Sequence, residues 1–98
     1  MLRSGALLIA SLVVLLVACG GDSIPPDISK IATDVGCPSP RPYQTKDASV
    51  HEAMACSDGR RIFTFDSNDV RDTFRERFEP IGMTFEQGNG YLVYTGGG

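Results

Sequence analysis

Two glycine-bearing turn signals, Asp58-Gly59 and Gly88-Asn89-Gly90, bracket a helix-period segment, and no other feature constrains the fold of this chain as strongly. Asp-Gly and Asn-Gly accept positive φ at both central positions, as two-residue hairpin turns demand. Around the first signal, the stretch VHEAMACSDGRRIFTFD reads as two strands. A two-residue turn at Asp58-Gly59 pairs Met54 with Phe63, Glu52 with Phe65 and Cys56 with Arg61 on one face. Ala55 with Ile62 and Ala53 with Thr64 then fall on the other. Around the second signal the turn is either Gly88-Asn89 or Asn89-Gly90. Both choices place Met83, Phe85, Leu92 and Tyr94 on one face and Thr84, Glu86, Tyr91 and Val93 on the other, because they differ by two residues.

Between the hairpins, Ser67 to Glu79 carries Val70, Phe74 and Phe78 at helical spacing. Ser67 is the expected N-cap, Asp69 complements the helix dipole, and Asp72–Arg75 and Arg75–Glu79 are spaced to pair. Pro80 is expected to end the helix by excluding Glu79 from the helical region. Upstream, Asp27 to Val35 places Ile28, Ile31, Ala32 and Val35 on one face of a short helix with Gly36 as its stop. The Pro-x-Pro-x-Pro stretch within Pro38 to Ser49 reads as an extended connection.

These elements predict an α+β domain: a short N-terminal helix, then β-β-α-β-β, with a four-stranded, largely antiparallel sheet covered by one helix. The N-terminal helix is expected at an edge or end. The uncovered sheet face then exposes Ile62, Tyr91 and Val93, which form the candidate contact surface.

The segment before this domain has a different character. Arg3 precedes about 14 uncharged residues, Gly5 to Ala18, which as a helix would rise about 21 Å, short of the roughly 30 Å hydrocarbon core. That is the layout of a secretory signal peptide. Leu16-Val17-Ala18-Cys19 resembles the lipobox of bacterial lipoproteins. The resemblance implies cleavage after Ala18 and acylation of Cys19, followed by a tether over 19–26, a domain over 27–95 and a flexible tail over 96–98. Removing Arg3 leaves 8 basic against 12 acidic residues. An acidic domain at an anionic membrane argues against nucleic acid and against a lipid-surface patch, so the acyl chains carry the attachment. Localisation is expected at the cell membrane, on its extracytoplasmic side.

With Cys19 lipidated, Cys37 and Cys56 remain as an even pair in an oxidising compartment, with about 18 residues between them, and are expected to form a disulfide. A loop of that size is worth about 3 kcal/mol in the chain-entropy picture.

The chemistry-bearing residues do not assemble into a motif. His51 is the single histidine, with Glu52 on the opposite strand face, and reads as a surface residue. No serine sits in a G-x-S-x-G elbow. Asp66, Asp69 and Asp72 lie on one rough helix face, but as counterions for Arg71 and Arg75 rather than calcium ligands. Arg60-Arg61 reads as a solvated hairpin end with a secondary reading as an anion dock. No catalytic, cofactor-binding or metal residues are therefore assigned.

Cys56, the run Ile62-Phe63-Thr64-Phe65-Asp66-Ser67, Arg71-Asp72, Gly82 and Gly90-Tyr91-Leu92-Val93 resemble a pattern in small secreted bacterial lipoproteins. In those proteins a strand ending in an aromatic-Asp/Pro-Ser sequence enters a helix carrying Ala-Arg-Asp. Here Val70 stands where Ala is common and Tyr91 where Trp is usual. The resemblance implies the fold and no active site. The expected function is a lipid-anchored binding module of the envelope and not an enzyme. The alternatives are a small hydrolase using His51 or a structural subunit of an envelope complex.

Overall fold

In the computed structural model, residues 24–97 are described. Cys19 and the expected signal segment lie outside them.

Helix α1 spans Ile28–Asp34. Asp27 caps it by accepting a hydrogen bond from the Ser29 amide. At the other end the Cys37 amide donates to Ala32 O and the Gly36 amide to Thr33 O, with Gly36 at φ 69°. These two bonds form a Schellman stop, and they deliver the chain directly to Cys37. Ile28, Ile31 and Ala32 are buried, as the spacing predicts.

Five strands follow: β1 (Arg41–Pro42), β2 (Glu52–Ala55), β3 (Arg61–Thr64), β4 (Met83–Gly88) and β5 (Tyr91–Gly97). They form one antiparallel sheet in the order β1-β2-β3-β5-β4. The expected sheet had four strands. The fifth comes from the proline-rich connection, where Arg41 and Pro42 pair with Ala55 and Met54. Proline is tolerated there because an edge strand need not donate on its outer side. At the other end of the chain, Gly96 and Gly97 pair with Thr84 and Met83, so the expected tail is largely part of β5.

The first hairpin corrects the predicted register by one residue. Ala53 faces Phe63 and Met54 faces Ile62. The cause is a three-residue loop: Gly59 N–H donates to Cys56 O, Cys56 N–H donates to Arg60 O, and Gly59 sits at φ 95°. A turn followed by a left-handed glycine adds one residue to the connection. A one-residue slip moves a whole strand's side chains to the opposite face. Met54 therefore leaves the Phe63–Phe65 face, and Ala53 and Ala55 replace it. The second hairpin turns at Asn89-Gly90, with Gly88 facing Tyr91. A bulge between Thr84 and Phe85 leaves Thr95 as the extra residue.

Helix α2 spans Asn68–Phe78, with the Ser67 hydroxyl accepting from the Val70 amide. Glu79 keeps helical dihedrals, and Pro80 enters a single 3₁₀ turn, Glu79–Ile81, before Gly82 releases the chain. Proline at the start of a turn loses no needed donor, which is why it does not stop the chain at Glu79.

The two helices cover opposite faces of the sheet. Phe63, Phe65, Phe74 and Leu92 form one core under α2, joined at its edges by Val70, Phe78, Phe85 and Tyr94. Ile28, Ile31, Ala32, Cys37, Cys56, Ile62 and Val93 form a second core under α1. The expectation that α1 fills an edge or end is thus corrected: it lies on the face left open in the predicted arrangement.

Candidate functional site

Ile62 and Val93 are 0% and 1% exposed beneath α1, and Tyr91 is half-buried against the same core. They are core residues rather than a contact surface. An apolar face wide enough to suggest a docking site was wide enough to need a cover from its own chain.

Cys37 and Cys56 form the expected disulfide, with their Cα atoms 5.2 Å apart. It joins the end of α1 to the first hairpin. Arg60 reinforces that joint, donating to Val35 O at 2.9 Å and Gly36 O at 2.8 Å. Its guanidinium also meets Asp58 at 2.9 Å. The Arg60 amide and guanidinium together hold the Asp58 carboxyl below the usual carboxylate range. Arg60 is thus a C-terminal clamp on α1, a role not visible in the sequence because its partners lie 24 and 25 residues away.

Arg71, 9% exposed, pairs with Asp72 as the spacing predicts but reaches further than the sequence shows. It donates to Asp72 Oδ1, Asn68 Oδ1 and Gly88 O. Asn68 Oδ1 also accepts from the Gly90 amide at 2.7 Å, and Asn68 Nδ2 donates to Asn89. The start of α2 therefore grips the second hairpin turn. Gly90 is confined on its other side: a Cβ there would lie 2.8 Å from Pro26 Cδ and 3.3 Å from Ile24 Cγ2. Residues 24–26, expected to be tether, are half-buried and seated on this turn.

His51 and Asp66 approach to 3.3 Å, with side chains 44% and 76% exposed. His51 lines an open cleft of about 270 Å³ that also presents Tyr43, Thr45 and Glu52; no serine lines it. Of the three aspartates on the expected face, Asp66 meets His51 while Asp72 meets Arg71 and Arg75. Among the described residues, no three His, Cys, Asp or Glu side chains assemble as a metal ligand set.

The remaining polar feature is a row across all five strands. Arg41 faces Ala55, Ala55 faces Arg61, Arg61 faces Tyr94, and Tyr94 faces Phe85. Residues directly opposite in a ladder point to the same side of the sheet. This row lies on the α2 side, and Arg61 stacks 4.7 Å above the centre of the Tyr43 ring. Nearby, Arg77 meets Asp47 at 2.9 Å. The Asp47 carboxyl is held below its ordinary range, first by the Ser49 hydroxyl and also by the Ser49 amide and Arg77.

No helix among the described residues is long and apolar enough to cross a membrane. The chain matches no protein-family model, no curated protein and no solved structure.

Proposed function

We infer that the chain is a bacterial lipoprotein whose small disulfide-bonded domain works by contact with another component of the cell envelope. The observation that supports this reading best is the seating of Ile24 and Pro26 against Gly90. If Cys19 is the lipidated amino terminus, only Cys19 to Ser23 separates the acyl chains from the folded body. Five residues span at most about 17 Å. The Gly90 end of the domain then faces the bilayer, and its opposite end faces outward. A domain held this close, with this fixed aspect, suits a protein whose position is part of its work. Two or three acyl chains suffice for stable attachment where one does not.

Metabolic labelling with an alkyne palmitate, followed by fractionation, tests the anchor. The full chain is expected to take label and sediment with membranes as a form cut after Ala18, and Cys19→Ala to lose both the label and the cut. Label retained in Cys19→Ala sinks the reading. In-cell photo-crosslinking then tests the contact function: a dominant partner lost in Cys19→Ala is the expected result. The hydrolase alternative retains one observation in its favour, the 3.3 Å approach of His51 to Asp66 at the rim of a cleft. Hydrolysis of an ester probe that disappears in His51→Ala would establish it instead.

A further inference from the structure

Six arginines lie in the described residues, and four of them, Arg60, Arg71, Arg75 and Arg77, meet carboxylates. Arg41 and Arg61 meet none among the described residues, although the chain has a formal net charge of −3 and carboxylates are plentiful. Both are exposed, and they stand in one row on one face with Ala55 between them. Two strand spacings put their Cα atoms roughly 10 Å apart. Alanine at the middle position leaves a shallow floor between two long cationic side chains. Tyr43 lies under Arg61, and Tyr94 continues the row beyond it.

We propose that Arg41 and Arg61 bind successive anionic groups of a polyanionic envelope polymer that crosses the alanine floor between them. Guanidinium groups engage phosphate or carboxylate through two parallel N–H donors. Stacking on Tyr43 holds the Arg61 guanidinium in place, so less side-chain freedom is lost when an anion arrives. The preference for a polymer over a lipid headgroup rests on the lipoprotein reading. Arg61 begins β3, whereas Thr64 at its other end faces Tyr91 beside the Gly90 turn and the stem. The row is therefore about 10 Å further from the anchor than the stem end.

The test uses the full chain purified from cells into phosphatidylcholine nanodiscs and titrated calorimetrically at 150 mM salt. The probes are poly(glycerol phosphate), polygalacturonate and neutral dextran; phosphatidylglycerol nanodiscs form the lipid arm. At least one polyanion is expected to bind and dextran not to bind. Arg41→Gln and Arg61→Gln should each weaken binding at least tenfold, and Arg61→Lys should weaken it despite keeping the charge. Arg77→Gln, already paired with Asp47, should leave affinity within twofold. Absence of polyanion binding overturns the proposal. So does binding undiminished in the Arg41→Gln/Arg61→Gln double variant, or attachment to phosphatidylglycerol alone. The full chain carrying Cys19→Ala, purified into the same phosphatidylcholine nanodiscs, separates the two readings. If it binds polyanion while the wild type takes no palmitate label, the anion site stands and the anchor falls. If the label is present and no polyanion binds, the anion site falls alone.

Discussion

On the α2 side of the sheet, an 11-residue helix drives Phe74 against the rings of Phe63, Phe65, Phe78 and Phe85. On the α1 side, a seven-residue helix contributes two isoleucines and an alanine. A helix of two turns is far below the length at which helices persist alone, so packing and cross-links must hold it. The α1 side carries the disulfide, the Schellman stop and the Arg60 clamp, all gathered at one end of the helix. The α2 side has an N-cap, the Arg71–Asn68 grip on the second hairpin turn, surface ion pairs and the larger aromatic core. One face is secured by burial and the other by stapling, as expected when a small domain cannot fill two cores.

The largest effect should come from the face secured by burial. Phe74 is 4% exposed, and Phe74→Ala is expected to cost about 3–5 kcal/mol, measured by urea denaturation. Ile31→Ala, in the α1 core, is expected to cost less, near the lower end of the 2–5 kcal/mol range for such truncations. Reversed ranking would break the comparison, because the α1 core would then be carrying the fold. Next comes the staple. Replacing Cys37 and Cys56 together by Ala is expected to lower stability by about 3 kcal/mol. Hydrogen exchange sharpens that result: α1 amides should lose protection while α2 amides keep most of theirs at low denaturant. Equal loss in both helices would mean one cooperative unit with no division of labour.

The legible part of this architecture was local. Ser67, Gly36 and the apolar spacings of both helices act within a turn or two of the backbone, and each appears where the sequence places it. The disulfide was legible from cysteine parity, once Cys19 was set aside by the lipobox expectation. What was missed depends on non-local geometry. The Ser57-Asp58-Gly59 sequence permits either a two- or a three-residue loop, and that single residue decides whether Met54 or Ala53 shares a face with Phe63. Arg41-Pro42 read as part of an extended connection, and only the position of β2 turns that extended stretch into an edge strand. Most consequential was α1. Its stripe showed that it must cover something, and Ile62, Tyr91 and Val93 showed that something must be covered; nothing in either stretch joined the two. The candidate surface therefore moved from this apolar triad to Arg41 and Arg61, whose adjacency exists only through Ala55.

A smaller effect concerns the clamp. Arg60→Met keeps much of the stem but leaves the Val35 and Gly36 carbonyls without its charged donors. The site is partly exposed, so water replaces part of the loss, and about 1 kcal/mol is expected. The variant should raise α1 exchange without altering exchange in α2. A matching change in α2 would show that Arg60 supports the sheet as a whole.

The smallest effect is on acid response, and each face has its own sensor. Asp47 beside α2 and Asp58 beside the α1 clamp both have carboxyls held below the ordinary range, Asp47 foremost by the Ser49 hydroxyl and Asp58 foremost by the Arg60 amide. A carboxyl whose pKa is lower folded than unfolded binds fewer protons in the native state. Its stabilisation is fully present above the unfolded value near pH 4 and is lost as pH falls through the folded value. Asp47 is the more sheltered, with its side chain 16% exposed against 40% for Asp58, so solvent screens it less. Asp47→Asn should therefore be less stable than wild type at pH 6, with the gap closing as pH falls below about 4. Asp58→Asn should show a shallower version of the same curve, accompanied by faster exchange in α1 alone. If Asp58→Asn gave the steeper curve, the acid-sensitive joint of the molecule would be its stapled face, and burial on the α2 side would not be shielding its ion pair.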